Sequence, residues 1–535
     1  MPDGSTTRAL PAAAPASRDR SRDGVRNRVE FALLTGFRPF WEFVNARPAL
    51  ARRINGLIVN NATKKVPARP LALSTAAPYA SWTSLNDRAW FGRYLPPRPA
   101  PDLPPVDRVL DLFRPGPEGP RRSRRSTLLL PSFAQWFTDG FLMTLDGDRR
   151  RTSSNHQIDL SQVYGLTPDV TRALRLLSEK PGEKGRLKSV VADGEEWAPR
   201  LYDEAGNKRP EFGPVPRPER MPDTLPPERK SAIFAFGGGR ANATPFTAMV
   251  STLFLREHNR LCGMLHAANP GWDDERVFET ARSINIVLLI KVVVEEYINH
   301  ISPYWFRLLG DPRPCYKAAW NRQNWIPVEF NLLYRWHSLV PETASWGGLP
   351  VPIAEMRFDN RFLLRSGLRA AFDNASRTKA GQVGLFNTPD FLLAAEEASI
   401  KQGRENELAS YNDYREAMGY PRVTRFEQIT GDPRAAAGLR EVYGHVDRVE
   451  FFVGLFAEEP RERAAVPALI GRLVAADAFS HALTNPLLSP SVFNEGTFTR
   501  QGMDTIAATS TLQHLLDRNT SQSPGASKAT MEQDG

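Results

Sequence analysis

The stretch EFNLLYRWHSLVPET, Glu329–Thr343, decides how the rest of the chain is interpreted. It places a phenol, Tyr334, three residues before an imidazole, His337, inside a mostly apolar segment. Positions three apart share one face of a helix, so a helix over this stretch predicts that the two side chains are neighbours. Imidazole is a common axial ligand of heme iron, which supplies oxidation that side chains alone do not. An imidazole that binds heme iron, next to a tyrosine that can carry a radical, is the minimum set of groups for oxygenating an unactivated C–H bond.

Helical patterns dominate the chain from about Arg125 to Asn519, and strand patterns are few and short. Apolar residues recur at helical spacing in Phe133–Thr144, Thr167–Leu177, Thr247–His266, Asp274–Ile301, Asn331–Leu339, Asp390–Gln402 and Val466–Phe479. Irregular stretches rich in proline and charge separate these segments. We therefore predict a mainly α fold, a single large helical domain with long ordered loops and few short strands.

Composition divides the 535 residues into five parts. Residues 1–28 are rich in Ala, Pro, Ser and Arg and lack the apolar core of a signal peptide, which predicts a disordered basic tail. Residues 29–61 read as short amphipathic helices, and 62–124 as a proline-rich connector. The helical catalytic domain then extends over 125–519, and 520–535 is predicted to be a second disordered tail.

The positive charge is concentrated near the start of the chain. The net charge is +9, and nine arginines between Arg18 and Arg53 surround the apolar stretch Phe31–Val59. Amphipathic helices with basic flanks lie in the interface of an anionic membrane, and no apolar run reaches the roughly 18–20 residues that span one. This predicts a cytoplasmic protein attached to one leaflet as a peripheral, monotopic protein, with solvated surface as the plainer alternative. No nucleic-acid-binding motif accompanies the charge, so nucleic acid is not an expected partner.

Four further motifs accompany the central stretch: FAQWFTD at Phe133–Asp139, HQIDLSQVYG at His156–Gly165, LREHNRLC at Leu255–Cys262 and IKVVVEEY at Ile290–Tyr297. In this order, within about Leu33–Asn519, they resemble the cyclooxygenase (prostaglandin-endoperoxide synthase) branch of the animal-type heme peroxidase superfamily. The Tyr-Arg-Trp-His form of the centre resembles the fungal linoleate dioxygenases of the same superfamily. Only two cysteines are present, Cys262 and Cys315, so the cysteine-rich, EGF-like module of the animal enzymes is not expected.

The resemblance implies a cofactor and a mechanism. One heme b per chain would have His337 as the axial ligand of its iron, with Trp336 packed against it. Tyr334 would be the tyrosine whose radical removes hydrogen from an unsaturated fatty acid. Tyr297, Tyr304 and Ser480 match residues of the substrate channel, Tyr304 being the one near the carboxylate. For Ser480 a purely structural role at a helix end stays open.

Two departures from the family pattern limit what the resemblance implies. Gln135 matches the distal glutamine, but the distal histidine four residues later is Asp139. An ionised aspartate is a poor proton donor at neutral pH, so we expect weak peroxidase turnover, unless burial raises the pKa of Asp139. Where the family has an arginine at the channel mouth, this chain has Ala62 followed by Lys64 and Lys65, which become the expected carboxylate ligands. Lysine lacks the bidentate fork of arginine, which predicts looser binding.

These observations predict a heme-dependent oxidoreductase that adds O₂ to an unsaturated fatty acid through the Tyr334 radical, giving a hydroperoxide. The first alternative is a heme peroxidase that uses hydrogen peroxide or lipid peroxide to oxidise small reductants, against which Asp139 argues. The second is a heme-binding membrane protein without catalysis, against which the pair of Tyr334 and His337 argues. The resemblance allows a homodimer. The acyl chain, the carbon attacked and any cyclisation or rearrangement of the product depend on the shape of the channel.

Overall fold

Helices make up 49% of the fold and strands 9%, which confirms the predicted mainly α class. The computed structural model describes residues 25–64, 73–79, 81–521 and 527–533. Most of the predicted first tail and part of the proline-rich connector therefore lie outside the described residues.

The helices of the described ranges begin with three near the start of the chain: α1 Val25–Thr35, α2 Arg38–Asn45 and α3 Pro48–Thr63. Those that follow, up to the centre, are α4 Trp82–Asn86, α5 Val106–Leu110, α6 Leu129–Phe141, α7 Ser161–Tyr164, α8 Pro168–Leu174, α9 Pro227–Lys230, α10 Pro245–Ala268, α11 Asp274–Val292 and α12 Asn299–Ile301. The second half contains α13 Val328–Leu333, α14 Ile353–Met356, α15 Arg361–Ser366, α16 Leu368–Arg377, α17 Leu393–Glu405, α18 Tyr411–Ala417, α19 Pro433–Tyr443, α20 Phe451–Ala457, α21 Ala468–Leu483, α22 Glu495–Ala508 and α23 Leu512–Arg518.

The strands form four separate two-stranded antiparallel sheets in the described part of the chain. The pairs are β1 Arg122–Thr127 with β8 Lys379–Gly381, β2 Thr144–Leu145 with β3 Asp148–Thr152, β4 Val190–Ala192 with β5 Glu195–Trp197, and β6 Thr343–Trp346 with β7 Leu349–Pro352. Each pair is too small to organise the fold, so the core is built by helices.

The helix α10 is the centre of that core. Thr244 and Thr247 form a reciprocal capping box at its start, and Pro245 occupies its first turn, where no amide donor is needed. It packs against α11, α16 and α6. The Trp136 indole of α6 donates a hydrogen bond to the Ser251 hydroxyl of α10 at 2.8 Å. This buried bond fixes the position of α6, which carries Gln135 and Asp139.

The predicted helix over Asn331–Leu339 is wrong in its second half. The helix α13 ends at Leu333, and a separate 3₁₀ turn begins at His337. The Trp336 indole donates to the Leu333 carbonyl at 2.6 Å and so satisfies a carbonyl at the helix end. Tyr334 and His337 are therefore not on one face of a continuous helix.

Two further segments differ from the sequence prediction. The predicted helix Asp274–Ile301 contains a π-helical turn over Val293–Ile298, between α11 and α12. The predicted disordered tail 520–535 includes a packed segment at 527–533. There Met531 is 2% exposed, and its carbonyl accepts a hydrogen bond from the Thr127 amide at 2.9 Å. The segment is ordered because its apolar residues and its backbone both find partners beside β1.

Candidate active site

His337 lies beside a buried carboxylate. Its Nδ1 atom is 3.2 Å from Oε2 of Glu396, and the Glu396 side chain is 2% exposed. The other oxygen of Glu396 accepts a hydrogen bond from the Thr388 hydroxyl at 2.8 Å. The pair is within ion-pair distance, although its angle is not that of a hydrogen bond in this structure. Among the described residues no side chain or backbone group pairs with Nε2 of His337, so these donor atoms fit an axial heme ligand oriented by a carboxylate.

Tyr334 is a buried phenol among aromatic rings. Its ring is 5.0 Å from that of Phe330 and 5.1 Å from that of Trp336. Its hydroxyl has a side-chain hydrogen-bond interaction with that of Tyr297, and neither hydroxyl has another hydrogen-bond partner among the described residues. Burial, followed by the charge of Asp477, raises the pKa of Tyr334 well above its ordinary value. The phenol therefore stays protonated and is free to transfer hydrogen.

Trp336 and Tyr297 form the other side of this aromatic cluster. Their rings are nearly parallel, with centroids 6.2 Å apart, and both residues are buried. The contacts of Trp336 are thus with the two tyrosines and with the end of α13. Its assignment to heme binding stays a prediction.

Gln135 and Asp139 lie four residues apart on α6 and so share one face. Gln135 is exposed, whereas Asp139 is buried. The Arg240 guanidinium donates to Oδ1 of Asp139 at 2.8 Å and to Glu219 at 2.6 Å. The charge of Asp139 is the largest of the effects that raise the pKa of Arg240. One oxygen of the Asp139 carboxylate is therefore engaged by the Arg240 guanidinium.

Arg335 interacts electrostatically with charged groups near both Asp139 and His337. It is partly buried, and burial is the main cause that lowers its pKa to about 10. The charges of Asp139, Arg240 and Glu396 all act on it, and its Nε atom has no hydrogen-bond partner among the described residues. The Arg335 guanidinium, with an unpaired Nε–H donor, can therefore bind an anionic group that lies between the carboxylates of Asp139 and Glu396.

A cavity of about 100 Å³ lies between α1, α3 and α21. Tyr304 and Ala62 line it, whereas Lys64, at the end of α3, is exposed and does not. Lys65 lies outside the described residues. The expected lysine ligands are therefore not among the residues that line this cavity.

The cations that line the cavity are Arg461 and Arg472. Nη1 of Arg472 is 3.8 Å from Oε1 of Glu30, a long ion pair. Burial raises the pKa of Tyr304, with Glu30 as the next cause, so its hydroxyl remains a donor. Sequence reasoning missed both arginines, although Arg472 falls within a segment predicted to be helical.

Ser480 does not line this cavity. Its hydroxyl donates to the Asp477 carbonyl at 3.1 Å and accepts from the Asn324 amide at 2.8 Å. Ser480 is fully buried within α21. Both hydrogen bonds favour the structural role that the sequence left open.

Comparison with known proteins gives a consistent assignment. The family model "Animal haem peroxidase" matches residues 147–531. Two solved structures have similar folds: fatty acid alpha-dioxygenase of Oryza sativa and peroxidase A of Dictyostelium discoideum. The first has a TM-score of 0.68 and 16% identity and covers 93% of this chain and 96% of that one. The second has a TM-score of 0.65 and 19% identity and covers 83% and 95%.

Curated relatives are more similar in sequence. Prostaglandin G/H synthase 1 of Rattus norvegicus is 32% identical over 515 residues, which are 92% of this chain and 81% of the relative. Prostaglandin G/H synthase 2 of Equus caballus is 31% identical over 512 residues, which are 92% and 80%. The motifs that surround Tyr334 and His337 lie within these matched lengths. The chain therefore belongs to the animal haem peroxidase family, in the cyclooxygenase-like branch that includes the prostaglandin G/H synthases.

Proposed function

We propose that this protein is a heme-dependent dioxygenase that converts an unsaturated fatty acid to a hydroperoxide through a radical on Tyr334. The observation that carries the proposal is the Tyr334 phenol, buried, protonated and with only the Tyr297 hydroxyl as a hydrogen-bonding neighbour among the described residues, three positions from His337. The family membership and the names of the relatives, which are prostaglandin synthases, support the same chemistry.

One heme b per chain is the proposed cofactor. Nε2 of His337 would bind the iron, Glu396 would hold the imidazole, and the free donor of Arg335 would pair with a heme propionate. When bound, the heme supplies the oxidising equivalent that Tyr334 passes to the substrate.

In the proposed reaction Tyr334, having lost one electron and its phenolic proton, takes a hydrogen atom from an allylic or bis-allylic carbon. The phenol is restored and a carbon radical remains. O₂ adds to that carbon, and the resulting peroxyl radical takes the hydrogen atom back from the Tyr334 hydroxyl, which regenerates the tyrosyl radical. The surrounding rings of Phe330 and Trp336 exclude water from the phenol.

Replacing Tyr334 by phenylalanine tests this proposal. Tyr334→Phe removes one oxygen atom from a packed ring, so we expect the variant to bind heme with an unchanged Soret spectrum. Oxygen uptake with linoleate, primed by a trace of lipid hydroperoxide, should fall to background. Tyr202→Phe is the matched control, since Tyr202 is equally buried but lies outside the aromatic cluster. Undiminished uptake by Tyr334→Phe would refute the radical mechanism, and rapid oxidation of small reductants by peroxide in its place would favour the peroxidase alternative.

We also propose attachment to an anionic membrane surface through α1 to α3. Large apolar side chains on or beside these helices are half or more exposed: Val29, Leu33, Phe37, Phe40, Phe43 and Leu57. Arg38 and Arg47 lie beside them, with Arg47 stacked over the Phe43 ring. No helix of the described ranges has the length and apolar character needed to cross a bilayer, which favours a position in the interface.

Sedimentation with phosphatidylserine vesicles tests the attachment. The triple change of Phe37, Phe40 and Phe43 to serine should release the protein, because each exposed ring buries apolar area in the lipid. Leu349→Ser, at another exposed apolar side chain, is the control and should still sediment. Binding of the triple variant equal to that of the parent would exclude this surface.

A further inference from the structure

We propose that the cavity between α10, α16 and the end of α23 binds a phosphate group through Arg186, Arg260 and Arg518. The ligand is a phosphomonoester or a diphosphate, either free in solution or as the headgroup of a lipid. Among the described residues, this cavity shares no lining residue with the cavity between α1, α3 and α21. The proposal therefore does not depend on the proposed oxidation chemistry.

The cavity has a volume of about 580 Å³, and the described residues that line it are all polar, charged or glycine. It lies where the turn between β4 and β5 approaches α10, α16 and the residues that follow α23. Five of its lining residues are arginines: Arg186, Arg256, Arg260, Arg369 and Arg518. Such a lining suits a charged, hydrated ligand and not an apolar chain.

The arginines of the cavity have carboxylate partners, but one carboxylate is shared. Arg186 pairs with Glu196 at 2.9 Å. Glu257 pairs both with Arg260, at 2.8 Å, and with Arg518, at 3.0 Å. Among the described residues it is the only ion-pair partner of either arginine. These two guanidiniums therefore carry one positive charge more than their partner compensates.

Glu257 has no capacity for further donors. Its side chain is fully buried. One oxygen accepts hydrogen bonds from Arg260 and Arg518, and the other accepts from Arg260 and Asn519. Four bonds occupy the acceptor positions of a carboxylate, so the remaining donors of the two arginines need another acceptor.

Several donors on the three proposed ligands have no acceptor among the described residues. Arg186 bonds through Nη2 alone, which leaves Nε and Nη1. Arg260 bonds through Nε and Nη2, which leaves Nη1, and Nε of Arg518 is buried without a partner. The three side chains are only partly exposed, at 33%, 29% and 26%. Arg256, by contrast, is 5% exposed and bonds through all three nitrogens, so it supports the wall of the cavity.

A phosphate group matches these donors better than a carboxylate does. It has three or more acceptor oxygens and up to two negative charges near neutral pH, whereas a carboxylate has two oxygens and one charge. Arginine forms strong charge-assisted hydrogen bonds with phosphate oxygens. One phosphate would therefore join three distant segments: Arg186 before β4, Arg260 on α10 and Arg518 at the end of α23.

Calorimetric titration of the heme-loaded protein with inorganic pyrophosphate tests the site. The parent should bind pyrophosphate more tightly than phosphate, and phosphate more tightly than acetate, because charge and acceptor number fall in this order. Arg186→Gln should weaken pyrophosphate binding about 10- to 100-fold, the usual loss when a charge-assisted hydrogen bond is removed. Arg361→Gln is the matched control, since Arg361 is also 33% exposed and paired with a carboxylate but does not line the cavity.

Two further variants and a second measurement sharpen the test. Arg186→Lys keeps the charge without the planar guanidinium and should restore part of the affinity. Glu196→Gln removes a carboxylate that lines the cavity and should strengthen pyrophosphate binding. Pyrophosphate should raise the Tm of the parent and of Arg361→Gln, because it binds only the folded protein, and should raise that of Arg186→Gln much less. The Tm without ligand shows whether each variant is folded.

A free phosphate and a lipid headgroup are distinguished by comparing glycerol 3-phosphate in solution with phosphatidic acid in vesicles. The vesicle measurement uses the triple serine variant of Phe37, Phe40 and Phe43, so that attachment through α1 to α3 does not contribute. Binding to these vesicles that is lost with Arg186→Gln supports the site and identifies a lipid headgroup. Binding of glycerol 3-phosphate that is lost with Arg186→Gln, without binding to vesicles, supports the site and identifies a free phosphate compound.

Three results would overturn the proposal. The first is equal affinity for pyrophosphate in Arg186→Gln and the parent. The second is an equal loss in Arg186→Gln and Arg361→Gln, which would indicate a general effect of charge. The third is binding of acetate as tight as that of pyrophosphate, or no binding of any phosphate compound at millimolar concentration.

Discussion

Glu396 and Asp139 are two buried carboxylates whose charges both act on Arg335. The side chains that pair with them differ. Glu396 is 3.2 Å from an imidazole, which can share or release its proton. Asp139 is 2.8 Å from a guanidinium, which stays charged at any working pH. The same functional group thus lies beside an imidazole at one position and is paired with a guanidinium at the other. If the proposed function is correct, this contrast predicts that radical chemistry at Tyr334 is retained while proton transfer to peroxide is inefficient.

The largest effect, on the rate of reaction with hydrogen peroxide, is expected when Asp139 is replaced. Asp139→His introduces a group that can accept and donate a proton near neutral pH, so the rate of reaction with hydrogen peroxide should rise by about 10²-fold or more. Stopped-flow absorbance of the heme-loaded protein at the Soret band measures this rate. Asp146→His adds a histidine at an exposed position and should have no effect. If Asp139→His reacts no faster than the parent, Asp139 does not limit the reaction with peroxide, and the comparison fails.

A smaller effect is expected on the side of His337. Glu396→Gln removes the negative charge beside the imidazole, which makes it a weaker electron donor to ferric iron. The Fe(III)/Fe(II) midpoint potential should rise by about 60–120 mV, the equivalent of a 10- to 100-fold change in the relative affinity for the two oxidation states. Spectroelectrochemistry measures the potential. Glu397→Gln is the matched control, because Glu397 pairs with Lys401 at the surface. Equal potentials in all three proteins would leave Glu396 with a purely structural role.

A third effect, on stability and not on reactivity, comes from an imidazole that has no carboxylate partner among the described residues. His258 contacts the Tyr164 hydroxyl and the Gly185 carbonyl at 2.9 Å each, and burial lowers its pKa to about 3. Its unfolded pKa is near 6.5, so between these values the unfolded chain binds the extra proton. The free energy of unfolding should therefore fall as the pH drops from 6.5 towards 3, by at most about 1.4 kcal/mol per pH unit for this group.

Chemical unfolding at a series of pH values measures this slope. His258→Gln should flatten it, whereas His445→Gln, at an exposed histidine, should not. An identical slope in His258→Gln and the parent would show that acid lability arises elsewhere.

The sequence predicted what depends on local pattern and on motif order. The helical class was predicted from periodicity and is confirmed, whereas the roles of Tyr334 and His337, inferred from one short stretch, stay predictions. What it could not predict depends on contacts between distant segments. Glu396 and Glu397 are adjacent residues of the same type on a predicted helix, and the sequence does not distinguish them. In the structure Glu396 faces His337 and Glu397 faces solvent, because the packing of α17 determines which side of the helix is buried. Asp139 pairs with Arg240, which is 101 positions away in the sequence, and no local sequence pattern indicates this contact.

A local contact explains the wrong helix over Asn331–Leu339. Propensity and periodicity favour a continuous helix there, but the Trp336 indole bonds back to the Leu333 carbonyl and ends it. A local bond from a side chain to the backbone, which periodicity does not register, thus accompanies the end of the helix.

The π-helical turn Val293–Ile298 makes the orientation of the residues after it depend on the exact number of residues in this segment. Such a turn contains one residue more than an α-helix of equal length, and α-helical residues are spaced about 100° apart around the axis. Deleting a single residue there would restore a regular helix and rotate Tyr297 relative to everything before it. Tyr304, which lines the cavity, would move with it, so one codon lost would displace both tyrosines. Homologues should therefore vary in residue type across this turn far more readily than in residue number.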